Sequence, residues 1–172
     1  MKRRSLLTAA VLTGVLAVSA AVGAVGTPAT HVATLSGAEE VPANDSQGRG
    51  VGIVRLSADG STLEYRLNVA NIENVTQAHI HLAAAGANGP VVAWLYPAAP
   101  PAQLIPGRSS GPLATGAITA ADLVGPLAGQ PLSELVEAIR SGRAYVNVHT
   151  SQFPPGEIRG QLSDGPAAHG HH

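Results

Sequence analysis

Apolar and polar residues alternate clearly along one segment of the chain, from Leu63 to Val69. A period of two is typical of a β-strand with one buried and one solvated face. Just before it, Asp59-Gly60 separates this segment from the apolar run 51–56, and an Asp-Gly pair favours a tight hairpin turn. The pattern therefore predicts two antiparallel strands joined by this turn.

Other short apolar runs are bounded by glycine, proline, asparagine and serine, which is typical of strands. The segment 132–140 instead repeats its apolar residues at helical spacing, with Ser133 as a candidate N-cap. Five prolines between Pro97 and Pro112 predict a long exposed loop. We interpret the pattern as an all-β fold, an antiparallel β-sandwich or barrel of seven or eight short strands with one short helix. The additional strand segments are 31–36, 75–82, 91–96, 144–150 and 157–162.

The first residues have the pattern of an export signal. A basic head, Met1 to Arg4, precedes an uncharged apolar stretch at 6–25, and small residues follow where a signal peptidase would cut. We assign residues 1–29 to a signal peptide, with an uncleaved membrane anchor as the alternative. The folded domain is expected at 30–163, and 164–172 is expected to be a disordered, histidine-containing tail.

Composition and charge limit the classes of molecule that the protein could bind. Once the leader is removed, seven arginines, no lysine and eleven acidic residues remain, a formal charge of −4. With aromatic residues at only 3%, such a surface lacks the basic patches and stacking platforms that nucleic acids require. We expect a secreted, extracytoplasmic protein that does not insert into a membrane after signal cleavage. Its candidate ligands are an extracellular protein or a metal ion, and the sequence specifies no oligomeric state.

Histidines are the residues that could carry chemistry. The chain has no cysteine, so any metal must be held by His, Asp or Glu. The strand period places His79 and His81 on one polar face, and it places Asn147 and His149 on the polar face of a later strand. If these strands are neighbours, His79, His81 and His149 converge as an open site for one copper or zinc ion. Asn147 and Glu157 would then orient the imidazoles or complete the ligand set.

The same histidines have a structural interpretation. Surface imidazoles can hydrogen-bond to Asn147, Tyr145 and backbone carbonyls and so form a polar cluster without any metal. The sequence alone leaves both interpretations open, because it does not show which strands pair. No catalytic residue and no organic cofactor are assigned on either interpretation.

Three motifs in a fixed order bracket the folded part. They are Leu35-Ser-Gly-Ala-Glu-Glu-Val-Pro42, then Ala78-His-Ile-His81 with Gly86-Ala-Asn-Gly-Pro-Val-Val92, and finally Tyr145-Val-Asn-Val-His-Thr150 with Gly156-Glu-Ile-Arg-Gly-Gln-Leu162. In this combination the chain resembles the CHRD (chordin-type) domain family, found in secreted microbial proteins and in the growth-factor antagonist chordin. The resemblance implies an immunoglobulin-like β-barrel with some likeness to copper–zinc superoxide dismutases, but no settled activity.

The likeness to superoxide dismutase does not extend to its full metal chemistry. That chemistry uses a second, zinc-binding cluster and normally a disulfide, and this chain has neither a cysteine nor a second cluster of His with Asp. The leading expectation is therefore a secreted CHRD-type binding module, with one copper or zinc ion on the strand histidines. The alternatives are a metal-dependent redox or hydrolytic enzyme using the same site, and a structural or adhesion domain with no site.

Overall fold

The structure, a computed structural model, describes residues 29–164. The predicted signal peptide, apart from its last residue, and the predicted tail beyond Asp164 lie outside these residues. Within them, no helix has the length and apolar character needed to cross a bilayer. The described elements are β1 Thr30–Ser36, β2 Arg49–Leu56, β3 Leu63–Leu82, β4 Val91–Tyr96, β5 Ile105–Ile118, α1 Leu132–Arg140, β6 Ala144–Thr150, β7 Ile158–Gln161 and β8 Ser163–Asp164.

Five antiparallel strands close into a barrel. Strand β1 pairs with β2, β2 with β3, β3 with β6, β6 with β7, and β7 returns to β1. The hairpin predicted at Asp59-Gly60 joins β2 to β3, with Leu56 opposite Leu63. The all-β expectation is confirmed, and of the sandwich and the barrel, the barrel is the architecture observed.

Strand β3 is longer than the sequence pattern indicated. The runs 63–69 and 75–82 were predicted as separate strands, but they are one strand of 20 residues. Asn71 and Asn74 adopt positive φ angles of 55° and 53°, which asparagine tolerates better than most residues. The pairing register with β5 shifts at both points. The chain can therefore bend without ending the strand, and the first part of β3 pairs with β2 while the last part pairs with β6 and β4.

The expectation of a loop throughout the proline-rich segment 97–112 is wrong for its second part. Residues 105–118 form β5, which pairs with β3. Pro106 and Pro112 fit there because, among the described residues, β5 has β3 as its only strand partner. An edge strand has one side without ladder hydrogen bonds, so the missing N–H of a proline is tolerated.

The single predicted α-helix is present as α1. Its N-cap is Pro131 rather than the expected Ser133, and Gly142 follows its end with φ 68°. Leu135 and Ile139, one turn apart, are almost fully buried and belong to the main hydrophobic core. The helix therefore contributes an amphipathic face to the same core that Ala78, Ile80 and other inward-facing strand residues build.

Candidate metal centre

Strands β3 and β6 are neighbours, which the sequence left open. In their antiparallel register His79 lies opposite Asn147, His81 lies opposite Tyr145, and His149 lies opposite Gln77. Residues directly opposite each other in a pair of strands project from the same face of the sheet. The three histidines therefore share one face, on the side away from the core residues that alternate with them.

The three rings approach one another closely. Ring centroids are 5.0 Å apart for His79 and His149, 5.5 Å for His79 and His81, and 5.9 Å for His81 and His149. One nitrogen from each ring lies within 4.8 Å of the others. Nδ1 of His79 is 3.2 Å from Nε2 of His149. Two nitrogens bound to one tetrahedral ion at 2.0–2.1 Å are about 3.3 Å apart, so this pair already has the required spacing.

Backbone carbonyls determine the tautomers of two rings. Nδ1 of His81 is 2.9 Å from the Gly89 carbonyl oxygen, and Nδ1 of His149 is 3.0 Å from that of Pro154. A carbonyl oxygen only accepts, so each Nδ1 carries the proton and Nε2 of each neutral ring is bare. Carbonyl groups commonly orient metal-ligating imidazoles in this way.

This assignment leaves two nitrogens without partners. Since Nε2 of His149 is an acceptor, Nδ1 of His79 donates to it and Nε2 of His79 is bare as well. Nε2 of His79 and Nε2 of His81 are buried and have no hydrogen-bond partner. A buried lone pair without a donor is unfavourable, so these two nitrogens keep a bonding capacity that no described residue uses.

The site is buried, whereas the polar strand faces predicted an open site. The exposed fractions are 2% for His79, 8% for His81 and 6% for His149. Three loops, at 37–48, 83–90 and 151–157, account for this burial because they are joined to one another above the polar strand face. Asn88 Nδ2 donates to the Val41 carbonyl, and Asn44 Nδ2 donates to the Glu157 carbonyl.

Burial also keeps the imidazoles neutral. It lowers the pKa of His79 to about 3, with a smaller effect from the two neighbouring rings, and it lowers the pKa of His81 to about 4. The pKa of His149 is lowered by burial too. Neutral imidazole is the form that binds metal, so at neutral pH the cluster is ready to act as a ligand set.

Two aromatic residues contact the cluster. The chain's single tryptophan, Trp94 on β4, meets His79 edge-on with centroids 4.3 Å apart. Tyr145 stacks on His81 at 4.9 Å with an interplanar angle of 11°. From the β7 side, the Arg159 guanidinium lies over the Tyr145 ring, with Cζ 4.8 Å from its centroid. The only tryptophan is thus placed to report events at the histidines.

Arg159 and Glu40 form a buried network that sequence patterns did not identify. Arg159 Nε donates to the Glu39 carbonyl at 2.7 Å, and Nη1 donates to the Ala87 carbonyl at 3.1 Å. Its Nε is also 3.5 Å from Glu40 Oε2, with both side chains almost fully buried. Arg159 therefore ties two of the covering loops together. Burial raises the pKa of Glu40 to about 7, although the nearby Arg159 opposes this shift.

Neither of the two predicted supporting residues is hydrogen-bonded to an imidazole. Glu157 accepts hydrogen bonds from the hydroxyls of Ser46 and Thr150, both at 2.7 Å, so it holds the loops, while carbonyls orient the imidazoles. Asn147 lies opposite His79, and its Oδ1 is buried without a partner. Among the described residues, the histidine group includes no carboxylate.

Comparison with known proteins gives one positive finding. Residues 31–162 match the family model described as the CHRD domain, which covers most of the chain. No curated protein and no solved structure shows a significant match.

Proposed function

The chain belongs to the CHRD-domain family, and we propose that it serves outside the cytoplasm as a binding module that holds one copper or zinc ion on His79, His81 and His149. The observation that carries the proposal is the convergence of three buried imidazoles: one nitrogen of each ring lies within 4.8 Å of the others, and Nε2 of His81 is buried without a partner. A bound cation would accept the lone pairs of these nitrogens and relieve the cost of burying them.

The residues present fit such an ion. Nδ1 of His79 and Nε2 of His149 already have the spacing of two ligands of one ion, which would replace the hydrogen between them while Nε2 of His79 takes up a proton. His81 closes the set after moving by roughly 1.5 Å, since ligand nitrogens on one ion lie about 3.3 Å apart. Two carbonyls hold the ring orientations that leave nitrogen lone pairs available. The metal, when bound, would supply a Lewis-acidic or redox-active centre.

Binding is favoured over turnover of a substrate. All three histidines are at most 8% exposed, and no acid or base stands in the ligand group among the described residues. An enzyme needs room for its substrate and a positioned group for proton transfer. A redox or hydrolytic activity would therefore require the covering loops to open, whereas metal storage or delivery requires only the ion to enter.

Fluorescence of Trp94 provides the test. Adding one equivalent of Cu²⁺ to the full chain is expected to quench most of the tryptophan emission, because the indole contacts His79. The control variant replaces the tail histidines His169, His171 and His172 by alanine, and it should be quenched equally. His149→Gln should lose both the quenching and the stoichiometric binding. If a His79→Ala/His81→Ala/His149→Ala variant binds copper as the parent does, the proposal is wrong and the cluster is structural.

Export is tested separately. If the leader acts as proposed, protein recovered outside the cytoplasm will lack Met1 to at least Ala20. Intact-mass measurement on the purified protein determines where the chain begins. A full-length mass found in the membrane fraction would show instead that the leader is retained as an anchor.

A further inference from the structure

The charge around the histidine cluster differs from that of a typical site for a divalent ion. All three donors are neutral imidazoles. A positive charge stands next to the cluster, because the Arg159 guanidinium lies over the Tyr145 ring and that ring stacks on His81. Glu157 is hydrogen-bonded to the Ser46 and Thr150 hydroxyls and Glu40 is paired with Arg159, and neither carboxylate belongs to the histidine group. An ion bound here would thus meet little compensating negative charge.

Burial makes this lack of negative charge costly. The cluster is 2–8% exposed, so a bound ion would lose most of its hydration. The cost of moving an ion into a medium of low dielectric constant grows with the square of its charge, so a divalent ion is penalised about four times as much as a monovalent ion of similar size. A monovalent ion is therefore favoured by the surroundings of the cluster.

The number and arrangement of donors lead to the same ion. Zinc with three protein ligands normally adds a fourth from water or substrate, and Cu²⁺ prefers a tetragonal plane of nitrogen and oxygen donors. Three imidazoles from two adjacent strands cannot form a plane of four, and a water would have to enter this buried cluster with the ion to supply the fourth ligand of zinc. Three nitrogen donors do suffice for the filled-shell ion Cu⁺, which has no preference for a tetragonal plane. Imidazole binds zinc and copper alike, so charge and geometry decide between them.

We infer that the ion this site selects is monovalent copper, an inference that rests on the proposed metal site. The protein would then hold copper in its reduced state, with the reduction potential of the bound Cu²⁺/Cu⁺ couple above that of the aqueous couple. Copper would reach the site already reduced, or it would be reduced on binding by a one-electron donor such as ascorbate, which is oxidised as Cu²⁺ takes up one electron. The site would then prefer Cu⁺ to a transition-metal dication, which it would still bind, but more weakly.

Competition experiments on the full chain with the tail histidines replaced by alanine test this inference. The Cu⁺ affinity is measured without oxygen against a chromogenic bicinchoninate chelator with ascorbate, and the Cu²⁺ and Zn²⁺ affinities against chelators for those ions. We expect Cu⁺ to bind at least about 100-fold more tightly than Cu²⁺. This ratio places the reduction potential of the bound couple about 120 mV above that of the aqueous couple, because each tenfold difference in affinity corresponds to about 59 mV for one electron.

Substitution of the nearby cation tests the electrostatic part. Arg159→Gln is expected to reduce the Cu⁺-to-Cu²⁺ affinity ratio, because it removes the positive charge that opposes a dication. Arg66→Gln, at an exposed position on the first part of β3, is the matched control and should leave the ratio unchanged. The parent protein's own affinity ratio gives the answer even if the Arg159 variant does not fold.

The outcomes separate the two proposals. If no ion binds in a manner that depends on His79, His81 and His149, the proposed function itself fails. If an ion binds through these histidines but Cu²⁺ or Zn²⁺ binds more tightly than Cu⁺, the metal site stands and the inference about its selectivity is overturned.

Discussion

Metal-free protein is expected to lose stability steeply as the pH falls from about 6.5 towards 4. In the folded state the pKa of His79 lies at about 3 and that of His81 at about 4, whereas unfolded histidine binds protons near pH 6.5. Below pH 6.5 these histidines therefore bind protons in the unfolded chain but stay neutral in the folded protein. Lowering the pH then favours unfolding. Each tenfold difference in proton affinity is worth about 1.4 kcal/mol, so the loss amounts to several kcal/mol.

Urea denaturation at a series of pH values, with a chelator present, measures this loss. His79→Gln is expected to flatten the dependence of the free energy of unfolding on pH, because one depressed pKa is removed. An unchanged slope in this variant would contradict the assignment of acid sensitivity to the cluster. Burial also lowers the pKa of His31, so His31 contributes to the pH dependence of stability equally in the parent and in the His79 variant.

Glu40 should have the opposite effect on the pH dependence of stability. Its pKa is about 7 in the folded protein and near 4.5 in the unfolded chain, so its contribution to stability is complete below pH 4.5 and is lost as the pH rises through 7. Glu40 thus partly offsets the histidines during acidification. Glu40→Gln is expected to make the acid loss steeper and to stabilise the protein at pH 8 relative to the parent.

The alternation of residues along the strands was sufficient to predict part of the site. Because side chains alternate between faces, His79 and His81 had to share one face, and Asn147 and His149 another. Whether these faces coincide depends on the pairing of β3 with β6, two segments separated by more than sixty residues. Local patterns carry no information about such a pairing, so the convergence of the three rings required the structure.

Burial of the site was not predictable, for a related reason. A strand face with histidine, asparagine and glutamine normally faces water, so the residue pattern predicted an open site. The loop contacts of Asn88 with Val41 and of Arg159 with Glu39 cover this face, and they join segments far apart in the chain. Loops that cover a strand face in this way leave no periodic pattern in the sequence, because each contact depends on one side chain that donates to one carbonyl.

The errors in the strand assignment also have local causes. Prolines led to the expectation of a loop at 97–112, although an edge strand such as β5 tolerates Pro106 and Pro112. Polar Asn71 and Asn74 interrupted the apolar pattern of β3 and suggested a break. In the structure they allow the strand to bend through positive φ angles, so the interruption marks a bend rather than an end.

Arg159→Ala is expected to be the most destabilising single substitution in the loops and strands around the site. It removes the buried partner of Glu40 and leaves the carbonyls of Glu39 and Ala87 without their donor. Each buried carbonyl left without its donor typically costs about 1–3 kcal/mol. Glu40 takes up a proton at pH 7 once Arg159 is gone, because Arg159 is the group that opposes the rise of its pKa. Denaturation in urea at pH 7 should show the loss as a lower midpoint with little change in the slope.

Two further variants identify the cause of this loss. Arg143→Ala is the matched control: its side chain is exposed and bonds only to the Ser141 hydroxyl, so it should cost less than about 0.5 kcal/mol. At pH 9, where Glu40 of the Arg159→Ala variant has to ionise in the interior, adding Glu40→Gln should restore part of the lost stability, because no uncompensated carboxylate then remains. If the double variant is no more stable than Arg159→Ala alone, the unpaired charge of Glu40 is not the cause. The loss would then arise from the two carbonyls and from the loops they hold over the histidines.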